Sequence, residues 1–99
     1  MGYFVTASSS QPAANPSFVR VRHTVTTDEF SAKRFSLGAL SSEPRDCTVT
    51  IRGIGTQWSD QDFRVRPDGG EFWIEWNATQ DDMHDLVQVH DDFLIEFNV

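Results

Sequence analysis

From Phe18 onward, apolar and polar residues alternate with a period of two, the pattern of strands that bury one face. Val19, Val21 and Val25 fall on one side, with Arg20, Arg22 and Thr24 on the other. Phe35, Leu37 and Ala39 repeat the alternation less cleanly, and Val49 and Ile51 oppose Thr48, Thr50 and Arg52. Gly53 and Gly55 then interrupt the chain, where a bulge or turn is expected rather than a nucleotide-cradling loop.

Pro67-Asp68-Gly69-Gly70 carries a strong turn signal inside the segment Asp62–Trp76. With Asp68-Gly69 as the turn, Arg66 would face Glu71, Val65 Phe72, Arg64 Trp73 and Phe63 Ile74. Phe63, Val65, Phe72, Ile74 and Trp76 would then share an apolar face, and Trp73 would point outward between Glu71 and Glu75. The same register sets Asp62 against Glu75, a repulsive pair that predicts fraying there. Thr79–Asp85 breaks the alternation and reads as a short helix or a wide loop, with acidic residues in its first turn. The chain then ends in two β runs, Leu86–Val89 and Phe93–Val99, which pair as a hairpin if Val89 meets Phe93 across His90-Asp91-Asp92.

Ahead of the periodic region, residues 7–17 (ASSSQPAANPS) have the composition of a linker. Tyr3-Phe4-Val5 before them is apolar enough to act as an extra edge strand, or as an arm that adds a strand to a neighbouring subunit. The pattern predicts a flexible N-terminal arm over residues 1–17 and one domain over 18–99. That domain is all-β, a small sandwich of jelly-roll or immunoglobulin-like kind with about seven or eight strands.

Charge changes the picture next. Residues 1–66 hold all eight basic residues against six acidic ones, a net +2, while residues 67–99 hold nine acidic residues and no basic one. Together they make the chain's formal −7. Such polarity speaks of partners rather than of fold. Glu71, Glu75 and Glu96 have evident partners within the sheets, whereas Asp81, Asp82, Asp85, Asp91 and Asp92 read as loop residues left over to form an acidic docking face. The acidic third would repel phosphates, so nucleic acid is a poor ligand.

Candidate chemistry adds little. The clustered aspartates match no calcium-loop spacing, and no metal or other cofactor is expected. Serines, His23, His84 and His90 stand in no nucleophile-elbow context. The single cysteine, Cys47, opens a strand-like run and reads as a small buried hydrophobe, which also rules out an internal disulfide framework. No apolar run is long enough for a membrane helix, and Met1–Thr6 lacks the basic start and apolar stretch of a secretory signal.

These features predict a non-catalytic structural or assembly protein in a virion or cytoplasmic setting, such as a small capsid-decoration (cement) or tail protein. Its partners would be proteins, as a homo-oligomer or part of a larger assembly, without nucleic acid or membrane. Contact would be made by Tyr3, Phe4 and Val5 of the arm, the outward Trp73, and the acidic face of Asp81, Asp82, Asp85, Asp91 and Asp92. Two other readings compete. One is an acidic inhibitor that imitates nucleic acid, and the other is a small carbohydrate- or ligand-binding module using Trp58 and Trp73.

Overall fold

The alternating segments become seven strands in a computed structural model that describes residues 17–99. They are β1 (Phe18–Thr24), β2 (Arg34–Gly38), β3 (Arg45–Ile51), β4 (Gly55–Trp58), β5 (Arg64–Asp68), β6 (Glu71–Glu75) and β7 (Asp92–Asn98). Two antiparallel sheets result, one of four strands in the order β1-β7-β3-β4 and one of three in the order β2-β6-β5. The all-β expectation holds.

Period-two burial fills the core from both sheets. Phe93, Ile95 and Phe97 of β7, Cys47, Val49 and Ile51 of β3, Phe35 of β2 and Ile74 of β6 are buried, with Trp76, Met83 and Val87 from the loops. Phe35 and Phe93 bring the two sheets into contact, their ring centres 5.9 Å apart, and Trp76 meets Phe93 edge-on at 5.7 Å. Burying each such side chain stabilises the fold by about 1.5–3 kcal/mol.

Three local expectations change. The β5–β6 turn is Gly69-Gly70, flanked by Asp68 and Glu71, so Val65 faces Ile74 rather than Phe72. Both glycines have positive φ (+63° and +82°), as a tight primed turn requires, and an aspartate at the first position would meet that demand less well. Moving the turn by one position slides the pairing by two, so the apolar face survives intact. Asp62 is thereby freed from Glu75; its carboxylate accepts from the Trp58 N–H at 2.7 Å and holds the 58–63 loop.

The expected C-terminal hairpin does not form. Residues 86–89 belong to no strand, and β7 instead inserts between β1 and β3, with Ile95 facing Val21 on one side and Val49 on the other. A strand that buries Phe93, Ile95 and Phe97 gains more from two neighbours than from a glycine-free hairpin at the edge. Finally, a short helix, α1 (Thr27–Ala32), joins β1 to β2. Thr26 caps it with a reciprocal box: its hydroxyl accepts from the Glu29 N–H, and the Glu29 carboxylate accepts from the Thr26 N–H. The expected break at 79–85 contains a single 3-10 turn, Asp82–His84.

Candidate functional site

Outward-facing residues of the three-stranded sheet form a self-neutralising network. Register places Arg34 and Arg64 on either side of Glu75, and Ser36 and Arg66 on either side of Trp73. Glu75 is only 7% exposed, with Arg34 Nε at 3.5 Å and Arg66 Nε at 3.8 Å. The Arg34 fork also reaches Asp68 at 3.1 Å, and Ser36 donates to Glu71. Trp73, expected as an outward contact residue, is half-buried beneath Arg34 and donates its indole N–H to the Asp68 carbonyl at 3.1 Å. The geometry makes it part of this network.

The acidic residues also separate. Asp81 is buried, accepts from the Ala78 N–H at 3.2 Å and lies 3.5 Å from Arg64 Nε. Asp91 accepts from the Gln88 N–H at 2.8 Å, closing a turn. Asp92 accepts from the Thr24 hydroxyl at 2.9 Å and sits 3.5 Å from Arg52. Asp82 and Asp85 remain exposed, Asp85 beside His84 at 2.8 Å. The proximity of the Asp62 carboxyl, through a shared hydrogen bond and its charge, pushes the Asp82 carboxyl above the usual aspartate range, with burial and Asp81 adding to the effect. Among the described residues, no three His, Cys, Asp or Glu side chains gather in a way that could hold a metal ion.

Cys47 lies in the core, where burial pushes its thiol up to about 12 and keeps it protonated. The imidazole of His23 stacks on Phe35, ring centres 4.4 Å apart, and bonds Glu29 at 2.6 Å. These contacts tie β1, α1 and β2 together.

The outer face of the four-stranded sheet is different. Cross-strand rows run Arg20–Glu96–Thr48–Trp58, then Arg22–Leu94–Thr50–Thr56, then Thr24–Asp92 with Arg52 alongside. At one end, Trp58 is 57% exposed and Phe18 46% exposed. At the other end, a groove of about 580 Å³ runs over β7 between Arg22 and Arg52. Arg20 is bound by Glu96 at 2.9 Å, whereas Arg22 faces the aliphatic Leu94 across the strands. Tyr3, Phe4 and Val5 lie outside the described residues.

No family model, curated protein or solved structure matches this chain. The sequence offers Trp58 only as a ligand-binding candidate alongside Trp73, and outward alternation between Glu71 and Glu75 favours Trp73 as the contact residue. The capping box at Thr26-x-x-Glu29 was a usable signal for the helix. The Arg22–Arg52 groove needed the order of the strands.

Proposed function

We propose that this chain is a non-catalytic assembly protein, a β-sandwich of jelly-roll winding that docks on protein neighbours in a larger particle such as a virion. The winding is supported by the nested pairs β1·β7 and β2·β6, which bring the two ends of the chain's strand order together across both sheets. The contact surface is one end of the outer face of the four-stranded sheet, with Trp58 on its β4 edge and Phe18 on its β1 edge, and residues 1–16 join the body next to Phe18 at Ser17. The observation that carries this reading is the indole of Trp58, more than half exposed on the outer sheet face, where an aromatic anchor favours protein contact. Imitation of nucleic acid has less support, since Asp68, Glu75, Asp81, Asp92 and Glu96 each lie beside an arginine of the same chain.

Mass measurement in solution tests it, for the full chain alone and mixed with the proteins encoded beside it. Trp58→Ala and removal of residues 1–16 should each shift the distribution toward monomer while leaving Tm nearly unchanged. Identical assembly in all three proteins, or a strictly monomeric full chain with no complex in the mixtures, would overturn the proposal.

A further inference from the structure

A groove lies at the opposite end of the same sheet face. We propose that the groove between Arg22 and Arg52 binds a hydroxyl-rich ligand carrying a carboxylate, of the uronic-acid sugar class. Its floor is β7, with Leu94 supplying an aliphatic patch, and its walls rise from β1 and β3 two strand spacings apart, roughly 10 Å. A volume of about 580 Å³ suits a small organic ligand.

Three features select the chemistry. Arg22 is exposed, and no ion pair or hydrogen bond engages its guanidinium among the described residues, so its planar fork is available for a carboxylate. It is the exception on this face, because Arg20 and Arg52 each have an acidic neighbour. Asp92 stands inside the groove with its side chain half exposed, and its carboxylate can accept from vicinal hydroxyls. The same negative charge, within a chain of net −7, opposes a phosphate, which concentrates its charge on one group, more than a sugar acid that carries one carboxylate per ring and presents a single one to Arg22. Thr24 and Thr50 add hydroxyls to the rim, and Leu94 offers the apolar contact that the C–H face of a sugar ring needs. A cation, an acceptor and an aliphatic floor together describe an acidic sugar better than a simple anion or a neutral chain.

Calorimetry of the full chain at low salt would test this with tri-galacturonate, its fully methyl-esterified form and inorganic phosphate. Tri-galacturonate should bind with an affinity that falls as salt rises. The ester, phosphate and the Arg22→Ala protein should each show binding weaker by about tenfold or more, as expected for loss of a charge-assisted pair. Because Arg22 is exposed and unpaired, R22A should keep the parental Tm, and Trp58→Ala should bind the sugar as the parent does. Absence of heat at millimolar tri-galacturonate, equal binding of the ester, tighter binding of phosphate, or an unchanged R22A would each overturn the proposal. The W58A arm separates this groove from the docking end of the sheet, since that variant should lose assembly and keep the sugar.

Discussion

The guanidinium carbon of Arg34 lies 3.6 Å above the centre of the Trp73 ring, and the same side chain lies 3.5 Å from the nearly buried carboxylate of Glu75. One residue thus covers an indole and balances a charge that the sheet has taken out of water. Removing it would leave Glu75 with Arg66, which is more than half exposed and 3.8 Å away. Arg34→Ala should therefore cost about 2–4 kcal/mol in denaturant unfolding. Arg34→Lys should recover part of this, since it keeps the charge but loses the flat stack and the fork. Trp73 fluorescence should change in both variants.

Helix α1 rests on its reciprocal cap. Thr26→Ala removes the hydroxyl that accepts from the Glu29 N–H and should destabilise the protein by about 1 kcal/mol. Thr26→Ser should be close to neutral in the same thermal melts.

Glu29 also makes stability depend on pH. Burial raises its pKa, but hydrogen bonds from the Thr26 N–H, His23 and the Thr26 hydroxyl, with the charge of His23, outweigh it and hold the carboxyl below its ordinary value near 4.5. A depressed folded pKa means the contribution is present above the unfolded value and is lost as pH falls through the folded one. Melts between pH 6 and pH 3 should show this loss, on the order of the acidic range where glutamates titrate. Glu29→Gln should be less stable at neutral pH and should converge on the parent in acid.

Asp82 has the opposite sign. Its pKa is raised by Asp62 first, through hydrogen bond and charge, so the folded state disfavours the ionised form. The penalty is present at neutral pH and fades as pH falls through the raised value toward the ordinary one near 3.8. Asp82→Asn should raise Tm at pH 7, and the gap should close on acidification. A lower Tm for D82N at pH 7 would contradict this account.

The Gly69-Gly70 turn sets the β5–β6 register, with both residues at positive φ. Gly70→Ala should cost roughly 1 kcal/mol or more, because a Cβ disfavours that conformation. Gly69→Asn should cost less than Gly69→Ala, since asparagine tolerates the left-handed region. Chemical denaturation of the three variants gives the ranking directly.

Alternation located β1 and β3, and together with the Pro67–Gly70 turn signal the β5–β6 hairpin, because period two is a local property that burial enforces on every half-buried strand. The apolar face of Phe63, Val65, Phe72, Ile74 and Trp76 was legible for the same reason, and it survived an error in the turn. Helix α1 was missed because its six residues are too few to show a period, although its cap was written in Thr26 and Glu29. The contact residues were harder. Trp73 alternates outward between Glu71 and Glu75 while Trp58 lies in a polar stretch, yet their exposure is set by Arg34, a residue distant in sequence that covers the first indole and leaves the second bare. Asp81 and Asp92 looked like loop charges until Arg64 and Arg52 came beside them.

By itself the amino-acid order determined that this protein is built of half-buried strands, which residues line their inner faces, and that its positive and negative charges occupy different stretches. Tertiary structure decided where β7 inserts, which tryptophan meets solvent, and that Arg22 and Arg52 flank one groove. Inner and outer faces follow from neighbours two positions apart, which a sequence displays. Strand order and charge pairing depend on contacts between residues as far apart as Arg20 and Glu96, which local periodicity does not encode.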